Sequence, residues 1–225
     1  MRKERLETYG MYHIFNRGVE KRTIFLDESD YLRFMTNLAI FNDTKSVLNA
    51  KYRIKEREKP DARKPLVDIL AYCLMPNHCH FLLRQKEDDG ISKFMNKIGV
   101  GYANYFNLKY GRVGSLFQGA FKSVSVKGES QFIYIPYYIH LNPLDLISPH
   151  WKERGIKKMD KAFDFLASYK WSSHRDYLGK SIFSGVVNKK YLNEIFVNSK
   201  IYKNEFRKFI EDFDFSDTSQ LLLDY

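Results

Sequence analysis

His78-Cys79-His80 sets two imidazoles two positions apart. Side chains alternate along an extended chain, so both rings share one face of a sheet and Cys79 takes the other. Two imidazoles on one face can hold one divalent metal ion, and a catalytic metal needs a further donor and an open position. The stretch Tyr137-Tyr138-Ile139-His140-Leu141-Asn142-Pro143 offers both a donor and a nucleophile. Tyr138 and Asn142 are four apart and share one face of a helix, with Tyr134 on the same side and Tyr137 and His140 pointing elsewhere. The Tyr137-Tyr138 doublet leaves Tyr137 as an alternative phenol; the spacing to Asn142 favours Tyr138. Each feature alone has a bland explanation. Six histidines in 225 residues produce some His-x-His pairs by chance, and Tyr138 is one of 16 tyrosines that could simply pack.

Periodicity supplies the elements that would hold these residues. Tyr12–Asn16 is a strand-like run that ends at Arg17-Gly18. Asp27 suits the N-cap of a helix of about 17 residues, with Tyr31, Phe34, Met35, Leu38 and Phe41 as its apolar stripe. After a polar connection to Pro65, Leu66–Leu74 is a strand of the buried kind, Met75-Pro76-Asn77 is turn chemistry, and His78–Arg84 is the returning strand. Ile91–Leu108 is a second amphipathic helix, carrying Phe94, Ile98, Tyr102, Tyr105 and Phe106. The Gly111–Ser115 link leads to a fourth strand near Phe121–Val126, and a third helix runs from about Ser130 to Leu141, stopping at Asn142-Pro143. The order β-α-β-β-α-β plus a helix predicts an α+β, ferredoxin-like fold, with an antiparallel sheet, helices on one face, and the other face open to a ligand or a further helix. Residues 1–145 suffice for that unit, and 146–225 form a mainly helical C-terminal extension.

Composition narrows the partners. The 37 Lys and Arg exceed the 27 Asp and Glu by ten, which attracts polyanions, nucleic acid first. Residues 90–128 contain Lys93, Lys97, Lys109, Arg112, Lys122 and Lys127 and no acid, which predicts a surface kept free of negative charge beside the site. A second basic run, Lys45–Lys64, reads as a solvated face, and a third spans Lys152–Lys190; the C-terminus turns acidic at Glu211, Asp212, Asp214 and Asp217. The 18 Phe and 16 Tyr are ample for a packed core and exclude a disordered or collagen-like chain. No apolar run is long enough to span a bilayer, and Met1–Gly10 is too charged for a secretory signal. Two cysteines make no disulfide framework, which points to the reducing cytoplasm.

Together these motifs resemble the HUH endonuclease superfamily, and in particular its single-strand tyrosine transposases of the IS200-like, REP-associated branch. Tyr12-His-Ile-Phe-Asn-Arg-Gly18 resembles that family's first-strand motif, Tyr72–His80 its metal-binding hairpin, and Gly114–Ser123 the stretch before its fourth strand. Tyr138–Pro143 resembles the catalytic helix and Trp171–Gly179 the C-terminal extension. Ser115 and Ala120 stand where His and Arg are expected, and Tyr137 stands where a basic residue is common.

The resemblance implies Tyr138 as nucleophile, His78, His80 and Asn142 as ligands of Mg²⁺ or Mn²⁺, and a covalent 5′-phosphotyrosine on single-stranded or hairpin DNA. It also implies a cytoplasmic protein, associated with the nucleoid when DNA-bound, that acts as monomer or homodimer and has no membrane partner. Lys93, Lys97, Arg112 and Lys122 would contact the backbone with Arg17, Asn16 and Gln118 would read base edges, and Phe15, Tyr105 and Phe117 could stack bases. Two competing readings are a DNA-binding protein without chemistry and a phosphoesterase that activates water. The second lacks a placed base, since His140 sits on the wrong helix face. The acids lie mostly in charged runs, which disfavours a three-carboxylate, two-metal site.

Overall fold

A computed structural model describes residues 5–45 and 64–212. Most of the Lys45–Lys64 run, together with Asp214 and Asp217, lies outside the described residues. Four strands form one sheet: β1 (Met11–Arg17), β2 (Val67–Met75), β3 (His78–Gln85) and β4 (Lys122–Ser125). Their order is β2-β3-β1-β4 and every pairing is antiparallel, which is the ferredoxin-like topology expected from the element order.

Two long helices cover one face. The first, α1 (Glu28–Phe41), starts in a reciprocal capping box between Asp27 and Asp30. It is shorter than the expected 17 residues because Asn42 leaves the helix to bond both backbone groups of Val67, at 2.8 and 3.0 Å, tying the helix end to β2. The second, α2 (Gly90–Lys109), begins where the chain passes so close to β2 that a Cβ on Gly90 would collide with the Leu66 carbonyl oxygen. Tyr12, Ile14, Leu83 and Cys79 from the sheet pack with Phe34, Phe94, Ile98 and Tyr102 from these helices into one apolar core.

The opposite face, expected to take a ligand or a further helix, is covered by helices. Helix α3 (Glu129–Leu141) lies on it, followed by a 3-10 turn (Asn142–Leu146) and five helices of the extension: α4 (Trp151–Arg154), α5 (Met159–Ser168), α6 (His174–Tyr177), α7 (Lys190–Phe196) and α8 (Ser199–Asp212). The extension shares a second core with the sheet: Leu70, Cys73 and Leu82 pack with Ile139, Trp151, Phe163, Tyr202 and Phe206. It also covers the free edge of β2. The Leu74 N–H donates to the Trp171 carbonyl at 2.9 Å, and the Ser173 N–H donates to the Tyr72 carbonyl at 3.0 Å. Covering both faces explains why all nine residues of β2 are buried. Among the described residues no helix is long and apolar enough to cross a membrane. Cys73 and Cys79 are free thiols in opposite cores, and burial pushes Cys79 up to about 12.

Candidate active site

Strand register builds the floor of the site. Cys73, His80, Phe15 and Lys122 stand in one row across the four strands, and His78 is paired with Arg17 one step along. His13 and Phe15 project on the same face of β1 as His80 does on β3. The His13 and His80 rings stack at 5.2 Å, with His13 Nε2 2.9 Å from His80 Nδ1. His78 lies edge-on to His80 at 4.9 Å between ring centroids, and its Nδ1 is 2.6 Å from Asn77 Oδ1. Both expected histidines are therefore on one face, and the structure adds a third, His13.

Helix α3 forms the roof. The Tyr138 ring meets His13 at 5.9 Å and His80 at 6.2 Å, both edge-on. Tyr134 stacks on Tyr138 at 6.2 Å, on the side that helical spacing predicts. Tyr137 turns away into the extension, against Phe196, Tyr202 and Phe209, and His140 bonds Tyr202 and Ser173. Of the two adjacent phenols, Tyr138 alone faces the histidines, and one chain supplies both.

A cation from the extension completes the cluster. Lys152 Nζ is 3.5 Å from the Tyr138 hydroxyl and 5.2 Å from the centre of its ring, the range of a cation–π contact. Lys152 is held there because the Trp151 indole N–H donates to Asp145 Oδ1 at 2.6 Å, fixing α4 against the 3-10 turn that follows α3. His80 is held far below the usual imidazole range, first by burial and then by the positive surroundings of His78, His13, Lys152 and Arg17. It is neutral at physiological pH, which is the state a metal ligand needs.

Imidazole nitrogens and an amide oxygen are donors of the kind a divalent ion takes. With the Nδ1–H tautomer on both rings, Asn77 and His13 accept those protons, which leaves Nε2 as the lone-pair nitrogen of His78 and of His80. Asn142 donates its amide N–H to the carbonyls of Tyr138 (2.9 Å) and Ile139 (3.4 Å), so its oxygen is the end left to serve as donor. Among the described residues no group of three or more His, Cys, Asp or Glu side chains is arranged to hold a metal.

The expected DNA contacts divide into two sets. Arg17 and Lys122 belong to the site: Arg17 acts on His80 through its charge, and Lys122 Nζ lies 6.0 Å over the Phe15 ring. Lys93 and Lys97 do not. They are on α2, across the sheet from Tyr138, where Lys93 donates to the Asp88 carbonyl and Lys97 to the carbonyls of Asp43 and Lys45. The acid-free strip is thus split between the two sides of the sheet. Lys109 is committed to Asp27 and Asp30 at 2.7 and 2.8 Å, and Arg112 donates to Asn107 at 2.8 Å. Asn16 uses its oxygen on the Arg17 N–H and its nitrogen on the Gly119 carbonyl, so it shapes the loop that carries the exposed Gln118. Phe117 and Phe15 are core residues, and Tyr105 lies under Arg33 and Lys109.

Sequence reasoning missed His13 and Lys152. His13 lies inside the first-strand motif, but only the β1–β3 register reveals its partner. No local signal marks Lys152, because its helix has four residues and its position depends on the Trp151–Asp145 bond.

Residues 39–142 match the family model described as "Transposase IS200 like". A solved structure, "Structure of the REP associates tyrosine transposase bound to a REP hairpin", is similar at 14% identity with a TM-score of 0.49, over 84% of this chain and 92% of that chain. No curated protein matches the sequence. The matched span runs from the end of α1 to Asn142 and contains His78, His80 and Tyr138. Over that span the chain is similar to the IS200-like transposase family.

Proposed function

We propose that this protein cuts and rejoins single-stranded or hairpin DNA with Tyr138 as nucleophile, on a catalytic unit of residues 1–145 completed by Lys152 of the 146–225 extension. The observation that supports this most directly is the convergence of the Tyr138 ring edge on His13 and His80, with the Lys152 ammonium 3.5 Å from the phenol oxygen. The Tyr138 oxygen attacks the phosphorus in line with the 3′ oxygen. The Tyr–O–P bond forms and the P–O3′ bond breaks, leaving the strand 3′ of the cut joined to the tyrosine through its new 5′-phosphate. The phenol proton passes to solvent, and the departing 3′ oxygen takes one from solvent, giving a 3′-OH. Lys152 orients the phenol, and together with Arg17 it lowers the cost of bringing a polyanion to a buried site. His78, His80 and Asn142 would hold Mg²⁺ or Mn²⁺, which when bound polarises a non-bridging phosphate oxygen. A 3′-OH on another strand can attack the same phosphorus and expel Tyr138, so one phosphodiester is exchanged for another. The sequence contains no Gly-x-x-x-x-Gly-Lys-Ser/Thr motif, in keeping with a reaction that consumes no nucleotide triphosphate.

One observation favours a second reading. Tyr138 and His80 are only 3% and 1% exposed, as they would be in a module that binds DNA without cutting it. Incubation with single-stranded hairpins and Mn²⁺, read on a denaturing gel, separates the two. A covalent protein–DNA band in the wild type that disappears with Tyr138→Phe supports cleavage; tight binding without a band across varied hairpins supports binding alone.

A further inference from the structure

Beyond the matched span, the extension encloses a cavity of about 480 Å³ lined only by residues between Leu144 and Ala162. Its floor is apolar, with Leu144 buried, Ile156 half-buried and Ile147 50% exposed. Leu146, beside it, is another large apolar side chain left 44% exposed. Its rim carries Arg154, Lys157, Lys158 and Lys161, and no acidic side chain lines it. None of these four cations forms an ion pair among the described residues. The neighbouring acids are engaged elsewhere, Glu153 with His150 at 3.5 Å and Asp160 with Arg207 at 3.1 Å. Four cations kept together without a counter-charge among the described residues, around an apolar floor, complement a ligand that is anionic at its edge and apolar at its centre.

The cavity adjoins the candidate site along the chain. Its floor begins at Leu144, two residues after Asn142, and Arg154 on its rim is two residues after Lys152. One short helix therefore presents a cation to Tyr138 and another to the cavity. We propose that the cavity seats an unpaired nucleotide of the strand being cut, next to the phosphate held at Tyr138, with its base on the Ile147–Ile156 floor and its phosphates on Arg154, Lys157, Lys158 and Lys161. This rests on the DNA reading above and adds a subsite to it. An aliphatic floor offers contact to any base face and no hydrogen-bond code, so this subsite is indifferent to sequence.

The test uses the full-length Tyr138→Phe protein, which cannot cut, and fluorescein-labelled dT30 titrated at several NaCl concentrations. The cavity variant K157E/K158E/K161E should bind at least tenfold more weakly at 0.1 M NaCl. Its salt slope should be lower by roughly two, at about 0.7 per lost phosphate contact for single strands. Ile147→Asp alters the exposed floor and should weaken binding severalfold with less change in slope. A control reversing three exposed lysines on α8, K200E/K203E/K208E, should stay within about twofold of the parent, and circular dichroism melts confirm that each variant is folded. Unchanged binding by the cavity variant, or equal weakening by the control, overturns the subsite. So does a cavity variant that keeps its DNA affinity but loses affinity for heparin, which would assign the cavity to another polyanion. Binding of dT30 by a wild type that forms no covalent adduct overturns cleavage while leaving the subsite testable by these variants. No binding of dT30 at all overturns both.

Discussion

The molecule contains two buried histidine clusters on the same side of its sheet, and they differ in how their nitrogens are used. In the extension, His140 spends one ring nitrogen on the Tyr202 hydroxyl (2.8 Å) and the other on Ser173 Oγ (2.7 Å). His174 Nδ1 meets the same Tyr202 hydroxyl at 2.6 Å, and Ser173 Oγ continues to the Tyr72 backbone. This network ties the end of α3 to α6 and α8, with hydroxyls as its connecting groups. The His78–His80–His13 cluster instead bonds through Nδ1 to an amide and a second imidazole, and it lies beside a phenol and two cations. Burial holds His80, His140 and His174 all below the usual imidazole range, so a depressed pKa does not by itself mark a site here. What distinguishes the candidate site is the side of the ring left to face a ligand and the charged company it keeps.

The contrast can be broken from either side. The largest effect belongs to Tyr138→Phe, which should lower covalent adduct formation by about 10³-fold or more while DNA affinity stays within threefold, measured by gel and by fluorescence anisotropy. Next, His78→Ala should slow adduct formation by about 10²-fold at limiting Mn²⁺ and recover in part when Mn²⁺ is raised. His78 is half-buried, so the loss should come without a change in thermal stability.

The extension cluster should respond to acid instead. His174 is held at about 3 in the fold by burial, against about 6.5 when unfolded. Below pH 6.5 the unfolded chain binds a proton that the folded chain refuses, so stability is full above 6.5 and falls as pH drops toward 3. Urea unfolding should show a loss of about 2 kcal/mol between pH 6.5 and 5 from His174 alone, and His174→Phe should flatten that slope. The smallest effect is Lys152→Met, about tenfold on the adduct rate at saturating DNA with little change in half-saturation, mostly restored by Lys152→Arg. A larger change in half-saturation than in rate would make Lys152 a DNA contact rather than a positioning residue.

Much of the site is legible in the amino-acid sequence. Strand alternation places His78 and His80 together, and helical spacing puts Tyr134 and Tyr138 on one side with Tyr137 and His140 on the other. The Asp27 cap and the turn at Met75-Pro76-Asn77 follow from local chemistry. What stays hidden depends on contacts distant in sequence. His13 reaches His80 across 67 positions through strand register, and Lys152 reaches Tyr138 through an indole–carboxylate bond. A charge run carries no information about which face of the sheet its helix will cover, which is why Lys93 and Lys97 land opposite Tyr138 while Lys122 joins the row of His80. The four-strand unit alone predicts a second face for a ligand or a further helix but not which residues cover it, and Trp151, Phe163, Tyr202 and Phe206 of the extension pack there with helix α3.

The central claim is that Tyr138, and no other phenol, carries the DNA. Wild-type protein reacted with a labelled single-stranded hairpin in Mn²⁺, digested with protease and analysed by tandem mass spectrometry, tests it directly. The account predicts a 5′-phosphate linked to Tyr138 in the peptide that spans both Tyr137 and Tyr138. A nucleotide on Tyr137, or hydrolysed strands with no linked peptide, would contradict it.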